Sequence, residues 1–227
     1  MNTNYFAVTD LESGSLNTQT CQLTQICTII LNPRTLRIEP NGVFNSEIQP
    51  IWDDEKAVAS GWGPVEAKAL EVTRKTRENL DQAPPFKIVW DKYLQFHKRF
   101  NPTRSAYKAP IFVGYNIINF DMPIIERLCL KYGPTYKEKG SLFNCMHRFD
   151  VFDMFEGYTE NNPEIVKTKL SDCAEWMGIE VDENSLHDAL TDTKICANIF
   201  VKLMHLQREV AKQTNFQRAY KDKELLI

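Results

Sequence analysis

Three short stretches of the chain place acids, an amide and a ring at spacings that chemistry can use. In FAVTDLESGSL, Asp10 and Glu12 stand two apart at the end of a β-prone run. Side chains alternate along a strand, so both carboxylates can reach one point, a geometry that suits a hard divalent cation. With 30 acids in 227 residues, such a pair also arises by chance and means little alone. In VGYNIINFD, Asn116 leaves an apolar strand and Asp121 starts a helix. Ligands of open α/β sheets gather at the carboxyl ends of strands, although Asp121 could equally do no more than cap its helix. In HDALTDT, His187 and Asp192 open an apolar-periodic run. A spacing of five is roughly 140° around an ideal helix. The two therefore converge only if His187 lies just before the helix, and the polar stretch through Asn184 and Ser185 fits a loop there.

The elements that must position these groups alternate along the chain. Tyr5–Thr9 and Leu23–Leu31 read as strands, and the segment around Val43–Ile51 completes a three-strand meander. PVEAKALEV reads as a short helix. Lys87–Phe100 has Ile88, Val89, Tyr93, Phe96 and Phe100 at helical spacing, ended by Asn101-Pro102. APIFVGYN supplies an internal strand, and DMPIIERLCLKYG a helix with Asp121 near its cap, Pro123 in its first turn and Gly133 at its stop. KLSDCAEWMG forms a short helix, and Asp188 to about Val210 a long one. The pattern predicts one α/β domain: a mixed sheet, an antiparallel meander plus parallel strands, flanked by helices. QTNFQRAYKDKELLI is polar until its last three residues, which makes it a frayed end or a docking tail.

Composition narrows the class. Hydrophobic residues make up 43% and charged residues 25%, the balance of a soluble globule. No run approaches the ~20 apolar residues of a membrane span, and MNTNYFAVTD lacks a secretory pattern, so a cytoplasmic location is expected. Cys21, Cys27, Cys129, Cys145, Cys173 and Cys196 show no metal or disulfide spacing and read as buried thiols. The net charge of -3 is uneven: residues 67–108 hold ten Lys/Arg against four acids. That segment is either a surface that follows nucleic-acid phosphates or an ordinary solvated helix face.

Read in order, the three clusters resemble the DEDDh family of 3′-to-5′ exonucleases, the DnaQ-like branch of the ribonuclease H-like fold. The family's acids match Asp10, Glu12, Asp121 and Asp192, and its histidine matches His187. The likeness runs from about Tyr5 to Leu206, and VGYN and HDALTD are its most specific pieces. PVEAKALEVT is similar to the family's stretch between acidic motifs, and Gln25 stands where the family often has a glutamine. The resemblance implies an exonuclease domain over residues 1–211 with a tail at 212–227. It also implies a metal-dependent enzyme that removes 5′-mononucleotides from single-stranded or frayed 3′ ends, with DNA favoured, either as a stand-alone nuclease or in proofreading. The alternatives are an exoribonuclease or short-oligonucleotide hydrolase using the same residues, or an inactive nucleic-acid-binding scaffold.

Two Mg²⁺ ions, replaceable by Mn²⁺, are expected, since paired ions about 4 Å apart steady both the attacking and the leaving oxygen of phosphodiester hydrolysis. By resemblance Asp10 would bridge them, Glu12 and Asp192 would help hold one, and Asp121 the other. His187 would be the general base, because an imidazole of ordinary pKa about 6.5 is neutral at cellular pH and accepts a proton from water. Asp188 then serves as favourable negative charge at the helix N-terminus.

The chain departs from the family's D-x-E-T-T-G-L: it reads Asp10-Leu11-Glu12-Ser13-Gly14-Ser15-Leu16, with glycine one place early. Leu16 still stands where the family wedges the terminal base, and Ser13, Leu16 and Asn116 are expected to bind substrate. Tyr115 and Phe120 could stack on a base, although buried packing is the expected role. Asp150 and Asp153 in RFDVFDMF should be structural. A polymerase partner, with the tail as one contact, and a homodimer are compatible with the resemblance, but no stripe demands the homodimer.

Overall fold

The computed structural model describes residues 4–134 and 140–214. Its centre is β1 (Phe6–Ser13), a strand buried on both faces. It pairs antiparallel with β2 (Leu23–Leu31) from Phe6↔Leu31 to Ser13↔Leu23, and β3 (Ile38–Glu47) lies outside β2. On the other side β4 (Ile111–Gly114) runs parallel to β1, followed by β5 (Arg148–Asp150), so the sheet order is β3-β2-β1-β4-β5. This is the expected mixed sheet flanked by helices.

The pleat of β1 assigns its side chains to two cores. Ala7 and Leu11 join Ile26, Ile30, Trp90, Tyr93 and Leu128, beneath α4 (Phe86–Phe100) and α5 (Asp121–Tyr132). Phe6 and Val8 join Cys27, Ile29, Phe155 and Phe200, beneath α6 (Val151–Thr159), α7 (Leu170–Trp176) and α8 (Ala189–Gln213). Asp10 and Glu12 continue the second set, so they emerge beside the start of α8. Phe200 anchors α8 on the sheet, with its ring 5.0 Å from that of Phe6 and 5.7 Å from that of Phe149. Emptying such a position costs about 3–5 kcal/mol.

The third strand starts earlier than expected, at Ile38 rather than near Val43. Asn32 Oδ1 accepts the N–H groups of Arg34 and Thr35 at 2.9 and 3.1 Å, and Leu36 turns at φ 57, so the chain reverses at once. As an edge strand β3 is largely exposed, which removes the apolar alternation that marks a strand in sequence. Three further helices were not anticipated: α1 (Asp54–Ala59), α3 (Arg77–Asp81) and α6. The shortness of α1 and α3 leaves them without a full apolar repeat, and α2 (Ala67–Thr73) begins after Pro64-Val65-Glu66 rather than on it. Five of the cysteines are buried, while Cys145 is only half-buried. Helix α8 continues to Gln213, and residues 215–227 of the expected tail lie outside the described residues.

Candidate active site

Carboxylate oxygens of Asp10, Glu12 and Asp192 lie within 4.8 Å of one another. Asp10 and Glu12 come from the last turns of the β1 pleat, and Asp192 from the first turn of α8. Asp121 arrives from a different direction. Strand β4 pairs with β1 only from Phe6 to Val8, which leaves the N–H of Leu11 without a strand partner. Asp121, the first residue of α5, accepts that N–H at 3.0 Å through Oδ1. Phe120 is the N-cap residue, and the Asp121 carboxylate does more than cap: it bridges α5 to the centre of the sheet.

Like charges held together out of water disfavour ionisation. Burial, followed by Asp121, Glu12 and Asp192, holds the Asp10 carboxyl well above its ordinary value. Burial and the Asp192 carboxylate push Glu12 up to about 8, with Lys75 opposing. Burial likewise raises Asp121 to about 8, against the hydrogen bonds it accepts, and raises Asp192. Asp192 Oδ1 is buried with no hydrogen-bond partner among the described residues. Three clustered carboxylates, one of which has an oxygen with no hydrogen-bond partner, form an arrangement that divalent cations satisfy, so this donor set fits them.

His187 stands at φ 63, outside the helix, as the spacing required. Its N–H donates to Asp192 Oδ2 at 3.1 Å, and its side chain is exposed. What keeps it there was only partly foreseen. Asp188 caps α8 by accepting the Thr191 N–H at 3.1 Å, a more specific role than the favourable charge expected. Gln25, opposite Glu12 on β2, clamps the same turn: Nε2 donates to Asp188 Oδ2 at 2.9 Å and Oε1 accepts the Ala189 N–H at 3.2 Å. Asp150 is structural, as expected, capping α6 through the Phe152 N–H and accepting the N–H groups of Asn116 and Ile118.

A cleft of about 330 Å³ opens beside the acids. Ser13, Leu16, Phe120 and His187 line it, and α2 forms the facing wall through Ala69, Val72 and Thr73. The β1–β2 register slips between Glu12 and Ser13, so the chain peels away there and leaves Leu16 84% exposed. Ser13 Oγ donates to Ser15 O at 2.7 Å. The displaced glycine has a local reason: a Cβ on Gly14 would come 3.0 Å from Val65 Cγ2 and 3.3 Å from its Cα. The close approach is sealed by the Glu66 N–H donating to Gly14 O at 2.8 Å.

Asn116 sits outside the carboxylate cluster, exposed, at φ 54, with its Oδ1 accepting from Asn119 Nδ2 at 2.8 Å. Tyr115 packs rather than stacks outward: its hydroxyl donates to Thr168 O and its ring meets Phe152 edge-on. The basic segment is divided. Lys87, Lys92 and Lys98 lie on the solvent face of α4, whereas Lys68 lines the cleft. No described helix is long and apolar enough to cross a membrane.

Comparison with known proteins agrees with this geometry. Ribonuclease T of Buchnera aphidicola subsp. Baizongia pistaciae (strain Bp) is 24% identical over 210 residues, 88% of this chain and 84% of that protein. Ribonuclease T of Escherichia coli (strain K12) is 25% identical over 210 residues, 88% of this chain and 85% of that protein. Among solved structures, the nuclease domain of 3′hExo, a DEDDh family member, bound to rAMP, aligns with a TM-score of 0.63 at 17% identity, covering 89% of this chain and 92% of that one. E. coli Exonuclease I in complex with a dT13 oligonucleotide aligns with a TM-score of 0.66 at 16% identity, covering 92% of this chain. Cell-death related nuclease 4 (CRN-4) aligns with a TM-score of 0.65 at 13% identity, covering 89% of this chain. The chain spans 43% of that Exonuclease I and 64% of CRN-4, less than two thirds of either. The RNase_T exonuclease family model matches residues 7–200, a span that contains both ends of the carboxylate cluster, and the chain belongs to that family of DEDD 3′-to-5′ exonucleases.

Proposed function

We propose that the protein removes 5′-mononucleotides from the 3′ end of single-stranded nucleic acid, with Asp10, Glu12, Asp121, Asp192 and His187 as its working groups. The observation that carries this reading is the meeting of three carboxylates within 4.8 Å, one with an orphaned oxygen, beside an exposed histidine. Two Mg²⁺ ions, or Mn²⁺ in their place, held by Asp10, Glu12, Asp192 and Asp121 would neutralise charge on the phosphoryl oxygens and acidify the attacking water. A ring nitrogen of His187 takes the proton as water attacks the last phosphorus. The bond from phosphorus to the 3′ oxygen of the preceding nucleotide breaks, and the released nucleotide keeps the phosphate on its 5′ oxygen. Leu16 and Phe120 offer apolar surface to the terminal base, and Ser13 and Asn116 offer polar groups to its sugar and strand.

RNA is the first substrate proposed, because both sequence relatives carry the name ribonuclease T and align over most of their length. DNA, the expectation from sequence, is the second reading, supported by the Exonuclease I complexes with deoxyribose oligonucleotides. The test uses 5′-labelled RNA and DNA strands with Mg²⁺, Mn²⁺ or chelator, beside Asp10→Ala and His187→Ala. A descending ladder that needs metal and vanishes in both variants is expected. Activity that survives Asp10→Ala or chelation would refute the site, and faster DNA decay would reverse the substrate order.

A further inference from the structure

We infer that Arg74 is a positioning residue: its guanidinium ties the far wall of the cleft to the turn that carries His187. This rests on the reading of His187 as the base. Arg74 is the residue that ends α2, and its guanidinium donates to Asn184 O and, at 3.3 Å, to Glu183 O. These carbonyls belong to the 3₁₀ turn Glu183–Ser185, which leads through Leu186 into His187. Carbonyls at the end of a helical turn lack partners within it, and a cation is a suitable cap.

The turn is held by hydrogen bonds of its own. Asp182 caps it by accepting the Asn184 N–H at 3.0 Å, and the Ser185 hydroxyl donates to Asp182 O at 2.8 Å. At its other end the His187 N–H is fixed to Asp192. The arginine is itself anchored. The next residue, Lys75, is buried and pairs with Glu47 on β3 at 2.9 Å, so the end of α2 is pinned to the sheet. Arg74 thus relates the turn before the imidazole to the frame that holds Asp10 and Glu12.

Backbone preference does not explain the arginine. At φ 54 the position is left-handed, a conformation glycine adopts at lower cost. That makes Arg74→Gly a discriminating variant: it relieves the backbone and deletes only the strap.

The experiment compares the full chain with Arg74→Gly, Arg74→Lys, His187→Ala and the Arg74→Gly/His187→Ala double variant. Hydrogen exchange reads residues 182–188, and single-stranded oligonucleotide hydrolysis reads kcat and KM. For Arg74→Gly the expected results are an unchanged or higher Tm, faster exchange confined to that turn, kcat lower by about ten-fold and KM within about two-fold. Arg74→Lys should recover part of the rate, since an ammonium reaches one carbonyl but not two. In the His187→Ala background the glycine should add less than about two-fold, because positioning a ring has no effect once the ring is gone. Unchanged exchange, or a loss confined to KM that steepens with salt, would make Arg74 a substrate contact and overturn the inference. A silent Arg74→Gly beside a crippled His187→Ala sinks the strap alone, whereas a silent His187→Ala sinks the assignment of the base, and the strap's role in catalysis with it.

Discussion

The backbone of His187 and the carboxylate of Asp192 form one unit: the His187 N–H donates to Asp192 Oδ2 at 3.1 Å, while Oδ1 of the same carboxylate is buried without a partner among the described residues. One oxygen holds the histidine's backbone in a left-handed conformation, and the other is the one we propose to face a cation. A residue five places along thereby serves both the ring and the acids.

Asp192→Asn separates those two duties. The amide oxygen can still accept the His187 N–H, but a charge leaves the cluster. We expect activity with Mg²⁺ to fall by at least about a hundred-fold. Without metal, Tm should not fall, because removing one of several crowded carboxylates relieves repulsion. Added Mg²⁺ should raise the Tm of the parent more than that of the variant, since a ligand stabilises only as far as it binds. A variant that matches the parent in both measurements would show that Asp192 holds no ion.

Gln25→Leu removes the clamp on α8 at nearly constant volume. Asp188 Oδ2 loses a donor and the Ala189 N–H an acceptor. A loss of about 1–3 kcal/mol in urea unfolding is expected for these buried groups, accompanied by lower activity. Gln25→Glu should be worse at neutral pH, because it sets a second carboxylate against Asp188. Equal stability of the two variants would argue against the clamp.

Leu16→Ala addresses the cleft. At 84% exposure the side chain adds little to folding, so Tm should stay within the range of ordinary surface changes. Its loss is expected at the terminal base, as a KM increase of a few-fold with kcat largely kept. Steady-state kinetics on a short oligonucleotide reads this directly. An unchanged KM would take Leu16 out of the substrate site.

His97 gives a pH test remote from the carboxylates. Its ring packs among Tyr93, Phe96 and Phe112, with neither nitrogen hydrogen-bonded among the described residues, and burial lowers its pKa to about 3. The native state therefore holds the neutral ring, while the unfolded chain binds a proton below the ordinary value of about 6.5. The unfolded state binds more protons between those two values, so stability falls as pH drops from about 6.5 towards 3, by about 1.4 kcal/mol per unit at most. His97→Phe should flatten that part of the curve in urea unfolding measured against pH. An identical acid slope in parent and variant would place the sensitivity elsewhere.

The long elements could be read from the chain because their own residues repeat an apolar face. Helices α4, α5 and α8 and strands β1, β2 and β4 fall where periodicity, Asn101-Pro102 and Gly133 put them. Edge strand β3 was expected but placed too late in the chain, and the short helices α1 and α3 escaped, since an exposed strand or a single helical turn carries no complete repeat. The acids and the histidine were recognised as a set through motif order and the family likeness. Asp150 was given its structural role for the same reason.

Local sequence thus determined the longer strands and helices, and which stretches carry carboxylates, because those properties depend on neighbours a few residues away. Tertiary structure alone decided the rest. The N–H of Leu11 finds no partner on β4 because that pairing stops at Val8, and that gap lets Asp121 reach the centre of the sheet. Gln25 reaches Asp188 across 163 positions, and Arg74 reaches Asn184 across 110. Contacts between residues so far apart follow from sheet order and the packing of α2 and α8, which no local pattern encodes.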